Sequence, residues 1–205
     1  MKRALAVLVI LLLACGMAFA EDAVSSATLK IETLPKAEAK ENGILVVYFS
    51  PDDTTRAAAY VIAAELSAEL FGIIPEEPYT EQDLDYFDNW SRSMTEIRDQ
   101  AARPAIAALP EDLGPYDTIL LGYPIWGGQA PKIICTFLES TDLSGKTIIP
   151  FCTSNSSDIG NSDENLHRLT DESVVWLKGK RIKKGSTAEE IRLFARELMD
   201  MAATP

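Results

Sequence analysis

The chain has 205 residues, 47% of them apolar and 24% charged, enough for one domain with a proper core and little more. Nineteen basic residues stand against 31 acidic ones, a formal net charge of −12. A balance of that sign repels nucleic-acid phosphates and anionic membrane surfaces, which argues against both as partners, and it suits docking onto a basic protein.

Residues 1–20 read as a signal peptide. Lys2 and Arg3 make a positive start, Ala4 to Ala14 is an apolar run too short to span a bilayer as a helix, and Ala18-Phe19-Ala20 gives a cleavage signal. Leu12-Leu13-Ala14-Cys15 also reads as a lipobox, in which Cys15 becomes the acylated first residue of a lipoprotein. Both readings export the chain, as a secreted, periplasmic or lipid-anchored protein; a retained anchor is the third. Contact with a membrane is expected only through an anchor at Cys15. Residues 21–42 are rich in Ala, Glu and Lys without a sustained apolar stripe and read as a tether, leaving 43–205 as the domain.

Ile44 to Phe49 is a continuous apolar run, the mark of a strand buried on both faces. After the polar turn Ser50 to Thr54, a helix is expected from about Thr55 to Phe71, since Ala59, Ile62, Ala63, Leu66 and Leu70 share one helical face. Gly72 is expected to end it, with a short second strand starting at Ile73-Ile74. Tyr79 to Ala108 is polar and aromatic, with a helix expected from about Trp90 to Ala102. Strands follow at Tyr116 to Gly122, Lys146 to Cys152 and Val174 to Leu177. Between and after them, helices are expected at about Lys132 to Glu139, up to about Thr170, and from Thr187 to Met201.

Strands and helices therefore alternate. That pattern gives an α/β fold: a doubly wound, five-stranded parallel sheet of order 2-1-3-4-5 with helices on both faces. Ligands of such sheets bind outside the carboxyl ends of the strands, at the switch point. Three loops lie there, Ser50 to Thr55, Tyr123 to Pro131 and Thr153 to Ser162, and the unusual sequence is concentrated in them. Cys135 and Cys152 sit among apolar neighbours and read as buried free thiols, with a single disulfide as the alternative in an oxidising compartment. His167 reads as a surface helix residue, and as the single histidine it offers no metal cluster. No G-x-S-x-G, Walker loop or G-x-G-x-x-G is present, so hydrolase and nucleotide-fold signatures are missing.

The segments ILVVYFSPDDTT, YDTILLGYPIWGGQAP and TFLESTDLSGKTIIPFCTSNSSDIG, in that order and spacing, resemble the flavodoxin family, specifically its short-chain bacterial flavodoxin-like branch. The resemblance runs from about Gly43 to the C-terminus. It implies a flavodoxin-like domain with a site for flavin mononucleotide (FMN). Ser50, Asp52, Asp53, Thr54 and Thr55 stand where the family cradles the phosphate, with Asp52 in place of a threonine and Asp53 in place of a glycine. Tyr123, Pro124, Ile125, Trp126, Gly127 and Gly128 resemble the ring-binding segment, with Trp126 or Tyr123 as the stacking side chain. Thr153, Ser154, Asn155 and Ser156 resemble the loop on the other side of the ring, with Asn155 and Ser156 where the family tends to have glycines.

Two carboxylates near a phosphate dianion oppose it by about 1 kcal/mol each, for every phosphate charge, even with water-like screening at about 4 Å. Either the aspartates turn outward, or FMN binding has weakened or been lost; Asp is also simply a good helix cap. The resemblance implies an FMN-dependent redox protein, an electron carrier or oxidoreductase with no obligatory catalytic side chain. Its partner would be a redox protein or a small-molecule electron acceptor. The alternative is an exported binding module of the same fold.

Overall fold

The computed structural model describes residues 42–202. The expected leader, the lipobox at Cys15 and almost all of the tether lie outside the described residues.

The elements in chain order are β1 (Ile44–Tyr48), α1 (Thr54–Leu66), β2 (Glu69–Gly72), a 3-10 turn (Gln82–Leu84), α2 (Arg92–Arg98), β3 (Thr118–Pro124), α3 (Lys132–Ser140), β4 (Thr147–Ser154), α4 (Glu164–His167), β5 (Val175–Trp176), β6 (Lys180–Lys183) and α5 (Ala188–Ala202). All strand pairings of the sheet are parallel, in the order β2-β1-β3-β4-β5, and β6 also pairs with β4. The order is the expected one. The fifth position is filled by two short segments in succession rather than by one strand.

Pro150 accounts for the break. Leu177 N–H donates to Ile148 O at 2.9 Å, so β4 turns the backbone groups of Ile148, and two residues on those of Pro150, toward this edge. Pro150 has no N–H to continue the ladder. The register moves from Ile148↔Trp176 to Phe151↔Lys180, one extra residue on the edge strand, which is a bulge. At the bulge, Gly179 N–H donates to Asp163 Oδ2 (3.2 Å). A Cβ on Gly179 would lie 2.3 Å from Ile159 Cδ1 and 2.9 Å from Asp163 Oδ2, so a larger residue would have to displace both side chains.

Side chains alternate across the sheet as the strand period requires. Leu45, Val47 and Phe49 join Ile119, Leu121 and Ile148 on one face, under Ile133, Ile134 and Phe137 of α3. Val46, Tyr48, Leu120, Ile149 and Phe151 fill the other face, under Ala59 and Ile62 of α1 and Ile191, Ala195 and Leu198 of α5. Burial on both faces is why these strands read as unbroken apolar runs. Cys135 and Cys152 are both buried and free.

Helix α1 ends at Leu66, five residues short of expectation. Ser67 takes a left-handed backbone (φ 52°), and Ala68 N–H returns to Ala63 O at 2.9 Å, closing the helix. Leu70 and Phe71 belong to β2 and pack on opposite faces of the sheet, as strand neighbours do. The offset of eleven residues from Ala59 to Leu70 fits a helical face, so the apolar period carries the expected helix past its true end. Gly72 caps no helix: it ends β2, and a Cβ there would lie 3.1 Å from the Tyr48 hydroxyl. Helix α2 covers only Arg92–Arg98, because Asp99 turns extended and its Oδ1 accepts from Ala101 N–H (2.9 Å). No helix among the described residues is long and apolar enough to cross a membrane.

Candidate functional site

The loops after β1, β3 and β4 converge at the carboxyl end of the sheet around a cleft of about 590 Å³. That volume is in the range of small-molecule sites. The first loop contributes Pro51, Asp52 and Thr54; the second Pro124, Ile125, Trp126, Gly127 and Gly128; the third Thr153, Ser154, Asn155, Ser156 and Ser157. Leu84, Tyr86, Ser93 and Met94, from the connection between β2 and β3, and Lys184, just past β6, complete the wall.

In the first loop the two aspartates part company. Asp53 is left-handed (φ 62°) at the N-terminus of α1, a conformation Asp adopts more readily than most residues. Its carboxylate pairs with Arg56 at 3.0 Å and does not line the cleft. Asp52 lines the cleft, and its Oδ1 accepts from Thr54 N–H (3.2 Å) while its Oδ2 accepts from the Thr54 hydroxyl (3.1 Å). Lys184 Nζ lies 3.7 Å from the same Oδ2. Thr55 is off the wall, fully buried, with its hydroxyl hydrogen-bonded to the Thr153 hydroxyl at 2.7 Å. Ser50 is also off the wall, and its Oγ is buried without a hydrogen-bond partner, alone in this among the described side chains. An orphaned hydroxyl costs stability unless something meets it.

The second loop is a tight turn. Trp126 N–H donates to Gln129 O and Gln129 N–H to Trp126 O, both at 2.9 Å, with Gly127 at φ 53° and Gly128 at φ 80° between them. Two consecutive left-handed residues demand glycine. The glycines therefore have a turn to make in addition to any approach they allow. A Cβ on Gly128 would meet nothing within 4 Å, so this stretch of backbone faces open space.

Trp126 packs edge-on against Phe49 (ring centroids 5.7 Å) and Tyr79 (5.4 Å) and keeps part of its surface on the cleft wall. Tyr79 is pinned in turn. Its hydroxyl donates to Glu96 Oε2 (2.6 Å), and the Arg92 guanidinium sits 4.0 Å over its ring. Arg92 Nε donates to Glu96 Oε1 (2.7 Å), which closes the set. Burial, then the Glu96 carboxylate, holds the Tyr79 hydroxyl protonated far above its ordinary range.

Tyr123 is not on the wall. Its ring is fully buried in the core and its hydroxyl lies 3.2 Å from Ser162 Oγ. Strand alternation points Tyr123 under the sheet, which leaves Trp126 as the aromatic side chain of this loop in the cleft.

In the third loop the Ser154 hydroxyl donates to Ser157 O, and Arg181 Nη1 donates to Ser156 O (2.6 Å). The loop is thereby folded on itself, with the four expected residues along the cleft.

Sequence reasoning missed the connection between β2 and β3 and missed Lys184. The connection does carry a signal, since Tyr86, Phe87 and Trp90 are three large aromatics in five residues. Tyr86 is 64% exposed at the cleft, and Phe87 (91%) and Trp90 (83%) are more exposed still. Lys184 carries none. It reaches residue 52 only because β6 runs beside β4, with Lys184 N–H donating to Ser154 O at 3.0 Å.

The family model described as Flavodoxin matches residues 43–198. A solved structure described as a "putative flavoprotein" from Bacteroides uniformis is 40% identical, with a TM-score of 0.71, covering 77% of this chain and 99% of that one. A second so described, from Bacteroides eggerthii, is 40% identical, with a TM-score of 0.69, covering 76% and 97%. A flavoprotein in complex with FMN from Lactobacillus acidophilus is similar in fold, at 21% identity and a TM-score of 0.52, covering 72% and 96%. No curated protein sequence matches the chain.

Proposed function

Since the chain belongs to the flavodoxin family, we propose that its cleft holds FMN and that the protein is a flavin-dependent redox protein. The observation that carries this reading is the wall itself: a cleft at the β1/β3 switch point, faced by Trp126 and the open backbone of Gly128. Flavodoxins are themselves the type example of ligand binding at that switch point.

The residues present fit the group at one end and strain against it at the other. Trp126 offers a flat apolar surface fixed in place by Phe49 and Tyr79. Ile125, Leu84 and Met94 add apolar wall that keeps water from the ring. The N–H groups of the Gly127-Gly128 turn are within the same wall. Lys184 offers a positive charge at the phosphate end, and behind the wall Ser50 keeps a buried, unpartnered hydroxyl. Asp52 is the residue that strains against a phosphate. Bound FMN would supply one- or two-electron transfer, and the protein's part is to position and tune it. The electron acceptor would be a partner protein or a small molecule, taken by an exported protein outside the cytoplasm.

An absorption spectrum tests the reading, recorded after incubation with FMN and removal of the excess. A retained, shifted flavin band with quenched fluorescence is the expected result. A folded, colourless protein favours the second reading, a binding module of the same fold, for which the carboxylate of Asp52 in the cleft is the supporting observation.

A further inference from the structure

The end of the cleft nearest α1 already holds an anion of its own. A helix N-terminus attracts negative charge through its free N–H groups and its dipole. Here the Asp52 carboxylate takes that place, accepting from both the N–H and the hydroxyl of Thr54. The Thr55 hydroxyl is engaged with Thr153 and the Thr54 hydroxyl with Asp52, while that of Ser50 is buried. The charges are also matched before any ligand arrives: Asp53 faces Arg56, and Asp52 faces Lys184.

We infer that Asp52 is the specificity-determining residue of the flavin site, and that it sets the cleft to take riboflavin, the phosphate-free flavin, about as well as FMN. The inference rests on the flavin reading above. A dianion entering beside Asp52 finds Lys184 already facing that carboxylate, and one opposing carboxylate at about 4 Å weakens binding about fivefold for each phosphate charge in water and more where water is excluded. The terminal hydroxyl of riboflavin carries no charge. It can donate to the Asp52 carboxylate, which is acceptor-only. The ring meets Trp126 and the glycine turn in both cases.

Titration of the full chain with FMN and with riboflavin, followed by flavin fluorescence quenching, tests the inference in the wild type, Asp52→Thr and Asp52→Asn. Thermal melts of each variant establish that it is folded, and the asparagine keeps the shape of the side chain if the threonine does not fold. In the wild type the two dissociation constants should lie within about threefold of each other, and Asp52→Thr should tighten FMN about tenfold while riboflavin stays the same or weakens. Lys184→Gln should weaken FMN more than riboflavin. A wild-type preference for FMN above about tenfold overturns the inference, as does a preference that neither Asp52 variant changes. Failure of every form to bind either flavin overturns the flavin reading itself, and the inference with it.

Discussion

The two ends of the cleft are built in opposite ways. The Trp126 end is held by packing and backbone geometry: edge-on rings of Phe49 and Tyr79, a two-glycine turn closed by a pair of hydrogen bonds, and an Arg92–Glu96 pair behind. The Asp52 end is held by charge, with two aspartates, Arg56 and Lys184 balanced against one another on partly exposed side chains. Packing of that kind fixes a shape whatever the ligand. Charge of this kind fixes which ligand is welcome, and it is screened by salt. The family resemblance is kept at the first end and altered at the second, which separates holding a flavin ring from holding its phosphate.

The largest effect should come from the sheet beneath the cleft. A Cβ on Gly122 would lie 2.2 Å from the Phe151 ring. Gly122→Ala should therefore cost roughly 2–3 kcal/mol of stability, read as a fall in the denaturant midpoint. A substitution without effect there would show that the sheet gives way more easily than its packing indicates. Trp126→Ala should weaken flavin binding about 10- to 100-fold while the phosphate preference stays where it was. An unchanged dissociation constant would remove Trp126 from the site.

A pH dependence separates the core from the charged end. Burial pushes the Cys152 thiol from 9.0 up to about 12. The unfolded thiol then releases its proton first. Its contribution to stability is complete below about pH 9 and is lost as pH rises toward 12. The slope in that window is about 1.4 kcal/mol per pH unit at most. Tyr116, raised to about 12 by burial and the Glu69 hydrogen bond, acts with the same sign. Cys152→Ala should flatten the alkaline limb of a stability–pH curve; an unaltered limb would assign the loss to the tyrosines. Smallest of all, Ser67→Gly should stabilise by about 0.5–1 kcal/mol, since a left-handed serine gives way to a residue that takes φ 52° freely. A destabilised variant would mean that the serine side chain holds the helix end in some other way.

Most of the fold could be read in the sequence because its strands are buried on both faces and so stand out as apolar runs. Their alternation with amphipathic helices dictates the sheet order. The end of α1 could not be read, because Leu70 continues the helical period although it lies in β2, and the terminator is a left-handed serine instead of a glycine. The bulge at Gly179 follows from Pro150, on a neighbouring strand distant in sequence. In the site, the loops themselves were legible from their glycines, hydroxyls and Trp126. The facing of Tyr123 was not, since one residue of register decides between core and cleft. Lys184 was not either, because only the pairing of β6 with β4 brings it to Asp52.

On the flavin reading, the packed end of the cleft holds the ring and the charged end adds little to the affinity. Titration with lumiflavin, the ring without ribityl chain or phosphate, tests this most directly. Binding within about tenfold of FMN, lost in Trp126→Ala, is the predicted result. FMN binding with no detectable lumiflavin binding would contradict it and place the affinity at the Asp52 end.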